Sequence, residues 1–393
     1  MCLYIITGLL LLCIIICIIV LFIRTSSKTS SKTSSKTSSH MMINANNTIS
    51  KIINVKDYGA TGDGTTNDTQ SIQNAINYYK NNLNGNYLYF PGGEYLVTYL
   101  DFSQFPSFNI VGDGAGTSGI SGDNYTTKIT SLNAGGATAF DFSGSSFGVV
   151  SGIIFSSDTT TASCVLLARL DNSLPNSYGS DISFYNCNFY GGNRCTVISH
   201  SAEVISFFNC RIHFSSTYGF MFTDRGSYWV NTTKYPLANS TSLTLIRFYG
   251  GSFAGDNSAA LLLDSCKTNG GADVSLNNLY IEISGNSGGG MTVTGPWQNI
   301  GIFSTRVEMP DFKGDSNNQY AAGINMSTQD NTKCASQTSI SASHIQIDGN
   351  QGSIPLLRGF GVVSNSILIS NSCVWKKDGI NLENCVNLTR GDC

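Results

Sequence analysis

The chain has 393 residues, of which 22 are basic and 25 acidic, so its formal net charge is −3. Hydrophobic residues make up 41% of the chain and charged residues only 12%. This apolar content is too high for a mainly disordered chain. The slightly acidic balance excludes a nucleic-acid binder held by bulk positive charge. We therefore expect a large folded body and no nucleic-acid partner.

The first 47 residues differ from the rest of the chain. Residues 3–23 carry no charge, and about 20 apolar residues are enough to span a bilayer. Residues 1–24 therefore predict a retained transmembrane helix, with an unusually long signal peptide as the alternative. Residues 25–47 open with TSSK repeats and predict a flexible polar stalk.

These features predict a single-pass membrane protein displayed on a cell or virion surface. The side of the membrane stays open. The basic residues that follow the apolar segment favour a cytosolic body, whereas several Asn-x-Ser/Thr sequons favour the outside.

A pattern of alternating apolar residues that ends at a small or Asn residue recurs from about residue 149. It reads ISFYNCNF from Ile182 and VISFFNCRIHF from Val204. The shortest repeat is 23 residues, which suits a coil of three short strands per turn with loops of variable length. We place the corners of this coil at Gly152, Asn186, Asn209, Gly250, Asn278, Ser304, His344 and Asn371.

A second strand family follows the corners, as in YGFMFTD from Tyr218 and AALLLDS from Ala259. Period-two alternation predicts strands, so the body is all-β. The segment DTQSIQNAINYYKNN predicts a short N-terminal helix that caps the coil, with Asp68 or Thr69 as its N-cap. Cys187 and Cys210 occupy equivalent contexts, which favours buried thiols over disulfide bridges.

Residues 54–76, NVKDYGATGDGTTNDTQSIQNAI, resemble the opening of the pectate-lyase-superfamily β-helix proteins. LYFPGGEYLV, IVGDGAGTSGI and VVSGIIF follow in the family's order. The resemblance implies a single-stranded right-handed parallel β-helix over residues 48–393 that acts on acidic or neutral polysaccharides. Because the family includes phage tailspikes, which are often trimers, it also implies a homotrimer as one form, although no coiled-coil heptad supports this.

The reaction is left open by the sequence. The NTD, GHG and RIK motifs of the polygalacturonase branch are absent, and no calcium-binding carboxylate cluster is evident by motif. One interpretation is an enzyme that cleaves glycosidic bonds by hydrolysis, which needs no cofactor, or by β-elimination, which would use Ca²⁺. The other is a non-catalytic glycan-binding adhesin or structural surface protein.

Two sets of carboxylates are candidates for catalysis. Asp224 and Asp264 end neighbouring strands of the second family, so they would be roughly 5–9 Å apart, within glycosidase geometry. Alternatively, each caps a turn. Counting from the corners, Glu282, Glu308 and Asp348 face outward on successive turns, beside Arg306. This column is either a catalytic or cation-binding site or a solvated acidic face. No metal-binding residue can be named.

Aromatic residues in apparent loops are candidates for stacking on sugars. Tyr228 and Trp229 lie in the segment GSYWVNTTKYPL, and Trp297 lies in TGPWQN. Such rings suit the CH faces of carbohydrates, and Arg306 would add a polar contact. The alternative is that these rings pack their own loops onto the coil.

Overall fold

The computed structural model describes most of the chain after residue 41. The described residues are 42–43, 49–84, 86–116, 126–132, 138–158, 163–171, 174, 176–193, 195–214, 218–224, 243–256, 259–265, 271–284, 290–294, 297–308, 324–326, 339–342, 344–348, 357–359, 361–364, 367–370, 376–377 and 380–389. All of them belong to one compact unit, Met41–Cys393.

The described chain enters the fold through two short helices. A 3₁₀ helix spans Val55–Tyr58, and one α-helix, α1, spans Thr69–Lys80. Helix α1 buries Ile72, Ala75, Ile76 and Tyr79, which join the interior cluster of the first turns. The predicted capping helix is confirmed. Asp68 is its N-cap residue, but the Asp68 side chain makes no capping hydrogen bond to the helix. Its carboxylate accepts hydrogen bonds from the backbone N–H groups of Thr61 and Gly62.

The rest of the fold is a coil in which each turn contributes strands to three parallel stacks, which we call faces A, B and C. Face A contains Ile52–Asn54, Tyr87–Phe90, Phe108–Gly112, Gly148–Ser151, Ser180–Tyr185, the first halves of Glu203–Phe214 and Leu243–Asp256, Gly271–Asn277, Trp297–Phe303, Ser339–Ala342, Gly361–Ser364 and Ile380–Glu383.

Face B follows face A along each turn. It contains Asp63–Asn67, Gly93–Val97, Thr127–Ser131, Ile153–Ser157, Asn188–Tyr190, the second halves of Glu203–Phe214 and Leu243–Asp256, Tyr280–Ser284, Thr305–Glu308, His344–Asp348, Ile367–Ser370 and Val386–Thr389.

Face C is a separate 10-stranded sheet. It contains Leu100–Asp101, Thr138–Asp141, Ser163–Ala168, Cys195–His200, Tyr218–Thr223, Ala259–Asp264, Met291–Thr294, Ile324–Met326, Leu357–Gly359 and Lys376–Lys377. A small antiparallel pair, Met42–Ile43 with Ile49–Ser50, precedes the coil. The predicted all-β coil of three strands per turn is confirmed.

The corner between faces A and B is made by one residue in the left-handed backbone region. Six predicted corners have φ between +47° and +68°: Gly152, Asn186, Asn209, Gly250, Asn278 and Ser304. Glycine and asparagine tolerate this conformation best. His344 instead begins a strand, and Asn371 lies outside the described residues.

A buried polar side chain follows several of these corners and supplies a hydrogen-bond donor. The Cys210 thiol donates to the carbonyl oxygens of Phe184 and Phe208, both at 3.5 Å. Cys187 makes the equivalent pair of bonds one turn earlier. Both cysteines are free and buried, as the sequence predicted. Burial raises the pKa of the Cys210 thiol, which keeps it protonated as a donor.

The expectation of a single-pass membrane protein is corrected by the structure. No helix within the described residues is long and apolar enough to cross a membrane. The segments assigned to the anchor and the stalk, residues 1–24 and 25–47, lie almost wholly outside the described residues. The predicted membrane location is therefore withdrawn.

We predict that Gly251→Ala destabilises the coil far more than Gly59→Ala. Both glycines have nearly equal φ, +93° and +95°, so both substitutions carry a left-handed backbone cost of about 1–2 kcal/mol. A Cβ at Gly251 would also overlap the carbonyl oxygen of Cys210, whereas the nearest atom at Gly59 is the Ser71 hydroxyl at 3.3 Å. Thermal unfolding should show the larger fall in melting temperature for Gly251→Ala. Equal falls for the two variants would contradict the close packing of successive turns at this corner.

Candidate functional site

Asp224 and Asp264 lie at the carboxyl end of face C, on neighbouring strands as predicted. Thr223, Asp264 and Thr294 occupy one register position on three successive turns. The Asp264 carboxylate accepts hydrogen bonds from both threonine hydroxyls. The Asp224 carboxylate accepts one from the Ser265 hydroxyl at 3.0 Å. Both aspartates are almost fully buried and accept hydrogen bonds from hydroxyl groups of neighbouring turns. Their catalytic role stays a prediction.

The second carboxylate set lies on face B. Glu282, Glu308 and Asp348 are aligned by strand register on successive turns, as the count from the corners predicted. Glu282 accepts a hydrogen bond from the Tyr280 hydroxyl at 3.3 Å. Arg306 is exposed and aligned with Tyr280. The side chains of Glu308 and Asp348 lie outside the described part of the structure, so a cation site at this column stays a prediction.

The aromatic predictions have different outcomes. Trp297 is not in a loop: it begins a strand of face A and is fully buried. Its indole N–H donates to the Thr294 carbonyl at 2.9 Å, and its ring lies 5.6 Å from that of Phe222. It is an interior packing residue, so the proposal that it stacks on sugar is corrected. Tyr228 and Trp229 lie outside the described residues.

The middle of face C is not an open polar surface. Leu166, Ile198, Met221 and Leu262 occupy one outward register position on four successive turns. All four are buried and form an apolar cluster separate from the interior. In this region the outward side of face C therefore offers little polar surface to a substrate.

A pair of aspartates on the first turns of face C was missed by the sequence reasoning. Asp101 and Asp141 are register partners, and each accepts the backbone N–H two residues later, from Ser103 and Ser143. The repeated triplet DFS at both positions was the available signal. Burial raises the pKa of the Asp141 carboxyl, and the nearby Asp101 charge adds to that rise.

A strip of outward-facing rings on face A was also missed. We call it the outer ladder: Tyr185, Phe208, Tyr249, Asn277 and Phe303, aligned on successive turns. The first two rings stack at 4.5 Å and the next two at 5.0 Å, nearly parallel in both cases. Each member directly precedes a corner residue, which is the sequence signal that could have located the ladder.

The outer ladder combines apolar and polar surface. Tyr185, Tyr249 and Phe303 keep 37%, 39% and 42% of their surface exposed. The residues two positions earlier share the same side of the sheet and are mostly small: Ser183, Ser206, Arg247, Ser275 and Gly301. Exposed rings beside hydroxyl groups can contact both the CH faces and the hydroxyls of a sugar.

The fold and its first turns match a known family. A family model described as rhamnogalacturonase A/epimerase, pectate lyase-like, matches residues 52–201. The match supports a pectate lyase-like right-handed parallel β-helix superfamily for this part of the chain. The resemblance predicted from residues 54–76 is thereby confirmed.

Solved structures similar to this pectate lyase-like β-helix cover most of its length. ORF18 of Geobacillus virus E2 matches with a TM-score of 0.50 at 14% identity, over 86% of this chain and 60% of that one. The A-module of mannuronan C-5 epimerase AlgE6 from Azotobacter vinelandii matches with a TM-score of 0.45 at 14% identity, over 86% of this chain and all of that one. At this identity the Geobacillus virus match bears on the fold alone.

A short segment of the chain is also similar in sequence to a characterised protein. Plasmin and fibronectin-binding protein A of Streptococcus pneumoniae is 50% identical over 50 residues. The match spans 13% of this chain and 7% of that protein. This chain therefore covers only a small part of that relative.

We predict that Asp141→Asn stabilises the β-helix more at neutral pH than at acidic pH. Because the folded-state pKa of Asp141 lies above its ordinary value near 4, ionisation penalises the fold as pH rises through that window. Asparagine keeps an acceptor for the Ser143 N–H and carries no charge. The melting temperature of the variant relative to the parent should rise between pH 4 and pH 7. A difference that is independent of pH would contradict this account.

Proposed function

We propose that this β-helix binds a polysaccharide along the outward side of face A. The observation that carries the proposal is the outer ladder, where the rings of Tyr185, Phe208 and Tyr249 stack along the coil. Tyr185 and Tyr249 are exposed, and Phe208 between them is half-buried. A contiguous patch of exposed apolar surface commonly marks an interaction site. The spacing of about 4.8 Å between strands repeats the same contact along the coil, which suits an extended repetitive ligand.

The family description supports a glycan as that ligand. The matching family is named for a rhamnogalacturonase and an epimerase. The half-buried Ser183 and Ser275 beside the ladder supply hydroxyl groups, and the rings supply apolar faces, so both kinds of sugar surface find partners. A polysaccharide laid along the ladder would cross several turns of the coil.

Glycosidic bond cleavage is the second candidate function, and the Asp101–Asp141 pair favours it. The register places the two aspartates on adjacent strands, whose backbones lie about 5 Å apart. A retaining glycosidase holds its two carboxyl groups about 5–5.5 Å apart. A raised pKa suits Asp141 to hold a proton for a leaving group, while Asp101 would carry the negative charge. Cleavage by β-elimination would instead use Ca²⁺. A non-catalytic glycan-binding role needs neither a catalytic carboxylate pair nor Ca²⁺.

We predict that Tyr249→Ala and Phe208→Ala each weaken glycan binding by roughly 2–12-fold, because one aromatic contact is worth about 0.5–1.5 kcal/mol. Titration calorimetry with hexamers of galacturonate and of neutral glucans provides the measurement. Tyr178→Ala is the matched control, since Tyr178 is 63% exposed but packs on Arg169, outside the ladder. Equal weakening by the control, or unchanged binding by both ladder variants, would overturn the proposal.

The cleavage candidate is tested on polygalacturonate, rhamnogalacturonan, alginate and neutral glucans, with and without Ca²⁺. New reducing ends alone indicate hydrolysis, and ultraviolet absorbance of an unsaturated uronide indicates elimination. If the Asp101–Asp141 pair catalyses hydrolysis, Asp141→Asn removes product by about 10²-fold or more, while Asp264→Asn retains it. The reverse pattern would move catalysis to the Asp224–Asp264 pair, and no product from any polysaccharide would favour the adhesin.

A further inference from the structure

The outer ladder is interrupted at one turn. Tyr249, Asn277 and Phe303 are aligned on three successive strands of face A. Two strand spacings separate the strands of Tyr249 and Phe303 by about 9.6 Å. Asn277 contributes no ring, so the ladder has a gap between two exposed rings.

The width of the gap matches one saturated ring. Carbon atoms in contact lie about 3.5–4.0 Å apart, so contacts with both walls take up roughly 7–8 Å. The remaining 2 Å or so accommodates the puckered carbon layer of a pyranose. The rings of Tyr185, Phe208 and Tyr249, by contrast, stack directly and leave no such space.

The floor of the gap is polar. The Asn277 side-chain N–H donates to the Ser275 hydroxyl at 2.8 Å and to the Phe248 carbonyl at 3.5 Å. Its side-chain carbonyl oxygen accepts no hydrogen bond within the described part of the chain. Gly301 leaves room for the Phe303 ring, because a Cβ there would come within 2.6 Å of it.

A cation stands beside the gap. Arg247 lies two residues before Tyr249 on the same side of face A, aligned with Ser275 of the next turn. It is half-buried, and it takes part in neither of the ion pairs Lys128–Glu94 and Arg169–Glu203. Arg247 therefore has no carboxylate partner in the described part of the chain. A guanidinium group is the side chain best shaped to bind a carboxylate with two parallel hydrogen bonds.

We propose that the gap between Tyr249 and Phe303 binds one acidic hexopyranose unit of the polysaccharide. The sugar ring lies between the two aromatic rings, its carboxylate pairs with Arg247, and one of its hydroxyls donates to the Asn277 carbonyl oxygen. This inference rests on the proposed glycan binding along the ladder and adds to it a class of sugar and a position.

The first test fills the gap with an aromatic side chain. Asn277→Tyr completes the ladder, so it should weaken binding of hexagalacturonate at least about tenfold while leaving the melting temperature unchanged or higher. If Asn277→Tyr does not fold, Phe303→Ala removes one wall and should weaken binding similarly. Unchanged binding by a folded Asn277→Tyr variant would overturn the inference.

A second comparison tests the charge. Arg247→Gln should weaken hexagalacturonate by at least about tenfold and change binding of a neutral galactose hexamer little. Equal effects on both probes would overturn the assignment of an acidic sugar. Failure of the parent chain to bind either hexamer would count against glycan binding as a whole. Binding of the neutral hexamer alone would overturn this inference but leave the ladder proposal standing.

Discussion

The constraint on which the structure depends is that every turn of the coil returns in register with the one before it. Parallel hydrogen bonding at a strand spacing of about 4.8 Å places like positions over like positions. Inside the coil, Phe184, Phe207 and Phe248 stack at 5.2 and 4.7 Å. At the corners the same register stacks left-handed residues. Outside, it builds the outer ladder. A single geometric rule therefore produces the core, the corners and the candidate binding surface.

The sequence predicted the features that repeat. Alternating apolar residues and the Asn186 and Asn209 corners indicated strands and turns because each was encoded several times. Features encoded once were harder to assign. Trp297 follows a proline in a polar segment, so it resembled a loop residue, yet burial beside Phe222 makes it part of the core. The Asp101–Asp141 pair was missed because its two members are 40 residues apart in the chain, and only the register brings them together.

Burial and hydrogen bonding distinguish the candidate surfaces on faces A and C. The middle of face C is apolar and buried at Leu166, Ile198, Met221 and Leu262, and Asp264 is enclosed by threonine hydroxyls. Face A instead carries exposed rings beside serines and an arginine that is unpaired within the described residues. Buried polar groups that satisfy one another stabilise a fold, whereas exposed aromatic groups beside polar ones are suited to a ligand. The balance of these observations favours glycan binding at face A.

A crystal structure of the chain soaked with hexagalacturonate tests the central claim most directly, because it locates the ligand without assuming a reaction. The account predicts sugar density along face A, with one ring between Tyr249 and Phe303 and a carboxylate at Arg247. Density over face C beside Asp101 and Asp141, with none along the ladder, would contradict it and would place the polysaccharide on the carboxylate pair instead.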